Sequence, residues 1–316
     1  MTTEFNSFAS MLTALPTDAA CREYLEKKRW NGTPTCPHCG AVDTNHYKLK
    51  VKGEFKGMYK CKACKERFTV TVGTMFEGSP IPLRKWFIAI YIFSSHKKGI
   101  SSHQLAKDLG VTQKTAWFML HRLRTAFTDT DETPLGGEGV IVETDTTMVG
   151  GKVRNMTKKK RMEVLADAPK RWANKTTVSA YLERGGKIRF DVVDGTETKP
   201  DLLRKHVDTS SVLMTDTDKA YRVVGKEYAH HETVNHDKDE YVRGAAHTNS
   251  IEGAFSLFDR MIIGTYHFCT KKHMQKYCEE VGFRYNNRKI TDKDRFDMAL
   301  VKTKGIKLQY KTLIAK

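Results

Sequence analysis

Three acidic side chains in this sequence stand where a metal ion could use them. Asp145 lies in the middle of "GVIVETDTTMVGGK", whose apolar residues alternate as in a half-buried strand. Asp216 directly follows the strand-like run "SSVLM", and Glu252 lies in a helix that begins near "HTNSIEG". Mg²⁺ prefers carboxylate oxygens, and a pair of such ions can align the attacking and leaving oxygens of a phosphodiester. The pattern therefore predicts metal-dependent phosphodiester cleavage.

Each acid also has a purely structural interpretation. Asp216 could cap a turn, and Glu252 could be a first-turn acid favoured by the helix dipole. Asp145 is harder to explain in this way, because aspartate is depleted in strands. We favour a shared metal site over three coincidences. Glu143 and Asp218 are interpreted as non-ligands, although Glu143 shares a strand face with Asp145 and remains an open alternative.

The cysteines predict a second metal site with a different role. Cys36-x-x-Cys39 and Cys61-x-x-Cys64 are two close pairs separated by 21 residues, the pattern of a tetrahedral four-sulfur Zn²⁺ site. Such a site leaves no open position for catalysis, so we expect structural zinc in a binding domain. His38, inside the first pair, is predicted to be a surface turn residue. The other cysteines are scattered, and the odd total argues against a disulfide framework: Cys21, Cys269 and Cys278.

Two short helices before residue 128 predict a DNA-binding motif. In "SSHQLAKDLGVTQKTAWFMLHRLR", Ser101 or Ser102 caps the first helix, Gly110 makes the turn and Thr112 caps the second. This is the layout of a helix-turn-helix; an ordinary helical hairpin is the alternative. We predict base-edge contacts from Gln113, Lys114 and Thr115, and phosphate contacts from His121, Arg122 and Arg124.

The remaining elements divide the chain into domains. A helix is predicted over 17–30, and the apolar run Trp86–Phe93 predicts a buried helix, too short to cross a bilayer, which needs about 20 residues. Beyond a polar linker come three strands, a helix, a strand and a long helix, an order that suits ribonuclease H-like nucleases. We expect an α+β multidomain protein, divided into an N-terminal helix and zinc ribbon (1–78), a helix-turn-helix region (79–128), a linker (129–139), a ribonuclease H-like α/β catalytic core (140–295) and a C-terminal tail (296–316).

The charge balance indicates a polyanionic partner. Lys and Arg number 54 against 37 Asp and Glu, which gives a net charge of +17 at pH 7. A balance this basic favours nucleic acid. The N-terminus lacks the basic start and apolar core of a secretory signal, so we expect a cytoplasmic, nucleoid-associated protein. The basic run Thr157–Arg161 is predicted to lie in a loop.

Beyond these patterns, longer motifs resemble a known family. The segments "CPHCG…YKCKACKERFTVTVGTMF", "GVTQKTAWFMLHRLR", "ETDTTMVGGK", "VNHDKDEYVRGAAHTNSIEGAFS" and "IIGTYH…FRYNNR" are similar to DDE-type insertion-sequence transposases with an N-terminal zinc ribbon, a group related to Merlin elements. The resemblance covers residues from about 15 to 290. It implies a ribonuclease H-like core with catalytic acids Asp145, Asp216 and Glu252. Some members use the Asn of the last motif, so Asn249 is the rival third ligand.

The sequence departs from that family at three positions. Thr146 and Met148 replace the Glu and Tyr that usually follow the first acid, and Asp259 stands where a Lys is usual, with Arg260 next to it. Asp259 would repel DNA, and Arg260 could partly substitute for the missing Lys. These departures motivate one alternative, an inactive or domesticated transposase that binds DNA without cutting it. A nuclease without strand transfer is another.

We therefore predict a DNA transposase that binds the terminal repeats of an element. It would hydrolyse a phosphodiester at the element end with Mg²⁺ or Mn²⁺, after which the freed 3′-hydroxyl attacks double-stranded target DNA. Because element ends come in pairs, a homo-oligomer is expected from the resemblance. The basic residues that follow the first catalytic strand could track the DNA backbone, and a solvated face is an equal alternative: Lys152, Lys158–Lys160 and Arg161.

Overall fold

The fold is seen in a computed structural model that describes residues 5–43, 46–167, 174–235 and 242–315. Residues 236–241 of the motif that begins "VNHDKDEY" lie outside the described residues. The chain divides into two compact units, one formed by Met1–Phe127 with Lys289–Lys316 and the other by Thr128–Arg288. No described helix is both long and apolar enough to cross a membrane.

The first unit begins with two helices and a small sheet. Helix α1 spans Phe8–Ala14 and α2 spans Asp18–Trp30, with the Thr17 side chain accepting the Ala20 N–H as the cap of α2. The strands β1 (Tyr47–Val51), β2 (Glu54–Lys60) and β3 (Arg67–Phe68) form an antiparallel sheet in that order. The Trp30 ring lies 5.7 Å from that of Tyr59 and 5.8 Å from that of Phe68, so α2 packs on the sheet through aromatic contacts.

Three helices follow in the same unit. Helix α3 (Leu83–Ser95) contains the apolar run Trp86–Phe93 and is buried along most of its length. Helices α4 (Ser102–Leu109) and α5 (Gln113–Ala126) are capped by the side chains of Ser101 and Thr112. Gly110 ends α4 in the left-handed region at φ 59°, a conformation that favours glycine. The local sequence thus specifies two helices joined by a tight turn.

The second unit contains a five-stranded mixed sheet. Its spatial order is β6-β5-β4-β7-β8; β4 is antiparallel to β5 and parallel to β7, which is parallel to β8. Its elements in chain order are β4 (Ile141–Val149), α6 (Lys158–Asp167), β5 (Thr176–Glu183), β6 (Ile188–Val193), α7 (Lys199–His206), β7 (Val212–Thr215), α8 (Lys219–Val224), β8 (His230–Thr233), β9 (Val242–Arg243), β10 (Ala246–His247), α9 (Asn249–Met261) and α10 (Lys271–Asn286).

Two parts of this unit differ from the sequence-based prediction. The run Thr157–Arg161 was predicted to be a loop, but α6 begins at Lys158, because lysine and arginine have good helix propensity. Within the predicted linker 129–139, Leu135 is buried; its N–H donates to the His206 carbonyl at 2.7 Å. The burial of Leu135 and its backbone hydrogen bond therefore hold this part of the predicted linker against the second unit.

Alternate residues of the sheet face different helices. On β5, Ala180 and Leu182 pack in the core formed with α9 and α10, whereas Tyr181 packs with α7 and α8. On β4, Val149 packs on the α9 side and Val142 on the α7 side. Because side chains of a strand alternate between faces, the odd-numbered residues of β4 share the face of α9.

The last helices return to the first unit. Helix α11 (Asp292–Val301) buries Phe296, whose ring lies 5.5 Å from that of Phe87 and 6.1 Å from that of Tyr24. Helix α12 spans Tyr310–Ile314. The sequence-based boundaries left 296–316 as a tail, whereas α11, which begins at Asp292, packs with α2 and α3 through Phe296.

Candidate functional site

The four paired cysteines come together in the first unit. Their sulfur atoms all lie within 4.8 Å of one another, with Cys36 and Cys64 Sγ 3.7 Å apart and Cys39 and Cys61 Sγ also 3.7 Å apart. Zinc–sulfur bonds of about 2.3 Å in a tetrahedron would separate the sulfurs by about 3.8 Å. Two of the sulfur pairs therefore already have the spacing of a tetrahedral zinc site.

The protonation chemistry of Cys61 also suits a cation. Burial raises the pKa of this thiol, but N–H groups of Cys64 and Ala63 donate to its sulfur, and with other hydrogen bonds to neighbouring thiols they lower the pKa to about 6. The thiolate is the form that binds zinc, and hydrogen bonds that lower the pKa of Cys61 favour that form at this sulfur. The four cysteines form a possible zinc site.

We predict that Cys36→Ser lowers the zinc content of the purified chain from about one ion to a small fraction, because a hydroxyl replaces one of four thiolates. Atomic absorption measures this directly. The matched control is Cys269→Ser, a partly exposed cysteine outside the cluster, which should retain full zinc. Unchanged zinc in Cys36→Ser would remove this residue from the site.

In the second unit, Asp145 and Asp216 are neighbours across two strands. Thr144 of β4 pairs with Thr215 of β7 in parallel register, so each aspartate lies one residue further on, side by side with the other. Met214 packs with Ile141 of β4, which places Asp216 on the face that carries Asp145. Both carboxylates are half-buried. This juxtaposition depends on the parallel pairing of β4 and β7.

A buried tyrosine lies within the field of both carboxylates. Burial raises the pKa of the Tyr221 hydroxyl, and the negative charges of Asp145 and Asp216 add to the rise. The carboxylates are also oriented by backbone groups: Asp145 Oδ1 accepts the Thr146 N–H at 2.6 Å, and Asp216 Oδ1 accepts the Asp218 N–H at 3.0 Å. The turn-capping role of Asp216 is thus real, and it coexists with its position beside Asp145.

Glu143 fastens the start of α9 to β4. It is 0% exposed; its Oε2 accepts the Ile251 N–H at 2.9 Å, and its Oε1 accepts Nε of Arg184 at 2.8 Å. Arg184 also donates to the carbonyl oxygens of Ala245 at 3.1 Å and His247 at 3.2 Å. Both Glu143 oxygens are engaged in the protein, which favours its interpretation as a non-ligand.

Because of this attachment, the first turn of α9 begins on the Asp145 face of the sheet. Asn249 and Glu252 are both exposed there, and Glu252 Oε1 accepts the Thr248 hydroxyl at 3.3 Å. Within the described residues, the four cysteines are the only group of three or more possible ligands whose atoms all lie within 4.8 Å of one another. Asp145, Asp216 and Glu252 do not form such a group.

A lysine that the sequence-based prediction did not single out joins the two aspartate segments. Lys199, at the start of α7, donates to Thr146 Oγ1 at 3.2 Å and to Asp218 Oδ2 at 2.6 Å. Together with the backbone contacts of Asp145 and Asp216, this makes a continuous hydrogen-bonded path between the two carboxylates. One feature of the sequence could have identified Lys199. A lysine in the first turn of a helix is unfavourable because its charge opposes the helix dipole, which suggests that the lysine has an acidic partner elsewhere.

The predicted DNA contacts fall into different classes. Gln113 and Lys114 are exposed at the start of α5, with Gln113 Nε2 donating to Ser102 Oγ at 2.8 Å, and Thr115 is half-buried. Two residues that were predicted to contact phosphates are buried: His121 is 0% exposed and Arg124 is 1% exposed. They lie on α5 faces turned into the protein, because α5 is packed on more of its circumference than its apolar residues alone indicate.

Of the other predicted contacts, Arg122 is held within the first unit. Its Nη1 donates to the Met75 carbonyl at 2.7 Å. Lys152, Lys158–Lys160 and Arg161 are exposed, as are Asp259 and Arg260 near the end of α9.

The geometry defines a protein with a zinc-ribbon-like cysteine cluster and a mixed-sheet unit that brings two acids together. The ISXO2-like transposase domain family matches residues 134–286, and the transposase zinc-ribbon domain family matches residues 16–67. The chain therefore contains a transposase-family domain and a transposase zinc-ribbon domain, as its motifs predicted. An uncharacterized protein in transposable element ISH50 of Halobacterium salinarum is 29% identical over 246 residues, which is 75% of this chain and 81% of that protein.

Proposed function

We propose that the protein is a DNA transposase that binds the ends of its element and carries out metal-dependent phosphodiester hydrolysis and strand transfer. The observation that carries this proposal is the side-by-side position of Asp145, in β4, and Asp216, directly after the parallel strand β7, within a transposase-family domain. A ribonuclease H-like core is supported by the three antiparallel strands, the parallel β7 and the α9 helix on the acid-bearing face.

In this proposal, Asp145, Asp216 and a residue of α9 hold Mg²⁺ or Mn²⁺. Glu252 is the favoured third ligand and Asn249 its rival. Hard carboxylate oxygens suit these ions, and the bound ions would align the attacking and leaving oxygens and neutralise developing charge. Glu143 determines where α9 begins, and therefore how its first turn meets the aspartates. Closure of the three-ligand set would then accompany binding of metal or DNA.

Lys199 is proposed as a positioning residue. Its ammonium connects Thr146, next to the first acid, with Asp218, two residues after the second. It thereby restrains the two segments that carry Asp145 and Asp216. Thr146, one of the departures from the family pattern, supplies the hydroxyl that accepts this contact, so the departure is compatible with an ordered site.

The first unit would recognise DNA. The zinc ribbon and the α4–α5 pair, interpreted as a helix-turn-helix, would bind terminal repeats, with Gln113, Lys114 and Thr115 toward the bases. In the second unit, Lys152 and Arg260 are exposed and could contact the DNA backbone. A homo-oligomer would hold two element ends together.

The direct test is cleavage of labelled duplex DNA that carries the element's own terminus, with and without Mg²⁺ or Mn²⁺. We expect nicking at the end only with metal, and then joining of the freed 3′ end to target DNA. Binding without cleavage under any metal would instead support the DNA-binding alternative, for which the exposed Asp259 supplies a reason. Cleavage without joined products would indicate a nuclease that lacks strand transfer.

A further inference from the structure

The C-terminal segment, defined as residues 302–315, carries positive charge and no acidic residue. It contains four lysines, and no acidic residue follows Asp297. It lies beyond the residues matched by either family. A solvated tail would explain the charge, but the structure holds this segment in place.

Two contacts fix the segment to the first unit. The Thr303 carbonyl accepts the Met75 N–H at 3.0 Å, and the Gly305 N–H donates to the Gly73 carbonyl at 2.8 Å. At the other end, Leu313 of α12 is only 3% exposed. The chain between these anchors is therefore held against the protein.

Between its anchors, the segment covers one face of α5. The Tyr310 ring lies 5.6 Å from the Phe118 ring and 4.6 Å from Lys114 Nζ, and Arg122 Nε donates to the Leu308 carbonyl at 3.3 Å. Lys114, Phe118 and Arg122 are spaced four residues apart and share a face of the helix. The opposite side of α5 is buried through Ala116, Met119, Leu120 and Leu123. The segment therefore covers the outward face of α5, the predicted recognition helix, and contributes to the protein surface there.

A segment that covers α5 could either block DNA from the helix or bind DNA itself. The sign of the charge on the segment distinguishes these two roles. A segment that occupies a DNA site in place of DNA would be expected to carry negative charge. This segment instead carries exposed Lys307 and Lys311, each next in sequence to a residue that contacts α5: Leu308, which accepts from Arg122, and Tyr310, which contacts Lys114. We infer that Lys307 and Lys311 contact the phosphate backbone of duplex DNA next to α5, so that the C-terminal segment is part of the DNA-binding surface. This inference rests on the proposed function.

The test is a salt titration of duplex binding by the full chain carrying Lys307→Gln and Lys311→Gln. Each phosphate contact contributes about 0.9 to the slope of log K against log salt, so the slope should fall in magnitude by about 1.8 and affinity by about thirtyfold at 0.15 M salt. Arginine at both positions should keep the wild-type slope. The matched control is Lys97→Gln with Lys98→Gln, two exposed lysines between α3 and α4, which should change the slope much less.

Three results would overturn the inference: an unchanged slope in the Lys307 and Lys311 variant, equal losses in the control pair, or tighter binding when the chain ends before residue 302. The last would mean that the segment blocks DNA. If wild-type chain fails to bind any duplex, the proposed function fails as well, whereas normal wild-type binding with an unchanged variant slope removes only the role of these lysines.

Discussion

Asp145→Asn is expected to lower the rate of metal-dependent cleavage of the element end at least about 10³-fold, which corresponds to about 4 kcal/mol of transition-state stabilisation. Duplex affinity should stay within a factor of about three. Asparagine has nearly the same shape as aspartate, so the strand should be retained. The amide lacks the negative charge that a divalent ion requires of this ligand. The measurement is single-turnover cleavage of the labelled terminus, with binding measured on the same DNA.

In the same cleavage assay, Lys199→Met should be compared with Asp145→Asn. It removes a charge from the same hydrogen-bonded path without removing a proposed ligand. Loss of an outer residue that orients metal ligands typically costs 10–100-fold, and part of that loss should be recovered at higher Mn²⁺ concentration. Asp145→Asn should not recover. Full cleavage by Asp145→Asn would remove this residue from the metal site, and equal losses in Glu252→Gln and Asn249→Ala would indicate that both α9 residues contribute.

Glu143→Gln lowers the free energy of unfolding of the Thr128–Arg288 unit by about 3 kcal/mol. Breaking a buried ion pair leaves the partner charge uncompensated and costs roughly 3–5 kcal/mol. We expect the lower end because the Arg184 side chain retains 24% exposure. Urea unfolding of the full chain measures the loss, and amide exchange at Ile251 reports whether the start of α9 has loosened.

The chain offers a matched control for this prediction. Arg204 and Glu227 form a pair of similar geometry, with contacts of 2.7 and 2.8 Å, but both side chains are exposed. Glu227→Gln should therefore change stability far less than Glu143→Gln. If Glu143→Gln unfolds like wild type and yet cannot cleave at any metal concentration, Glu143 is a ligand rather than an anchor.

Local sequence patterns predicted the features that depend on interactions between residues close together in the chain. The two C-x-x-C turns each bring together a pair of sulfurs, so the zinc cluster followed from spacing. Apolar patterns predicted the strand that carries Asp145 and the strand that Asp216 follows, whereas the pairing of Thr144 with Thr215 that makes the two acids neighbours is seen only in the structure. Arg124, which was predicted to contact phosphate, is 1% exposed, because a helix that is packed on most of its circumference buries polar residues that periodicity would place outside.

The residues that the sequence-based prediction missed depend on contacts between distant segments. Lys199 lies 53 positions from Thr146, whose hydroxyl accepts its hydrogen bond. Local sequence patterns cannot predict a contact over that separation. The same holds for Glu143, whose anchoring role becomes visible only when α9 is placed over β4. Phe296 likewise reveals its partners, Phe87 and Tyr24, only in the folded unit.

The Phe296 contact has a consequence for synthesis of the protein. The first unit is built from both ends of the chain, with residues 128–288 inserted between its two parts. As the chain leaves the ribosome, α2 and α3 emerge early, but Phe296 of α11 arrives only after the whole inserted unit has been made. Domains generally fold as units during translation. A prematurely terminated chain would therefore lack Phe296 and with it a complete first unit, the unit that we propose binds DNA. Such a fragment would be poorly suited to occupy the element ends.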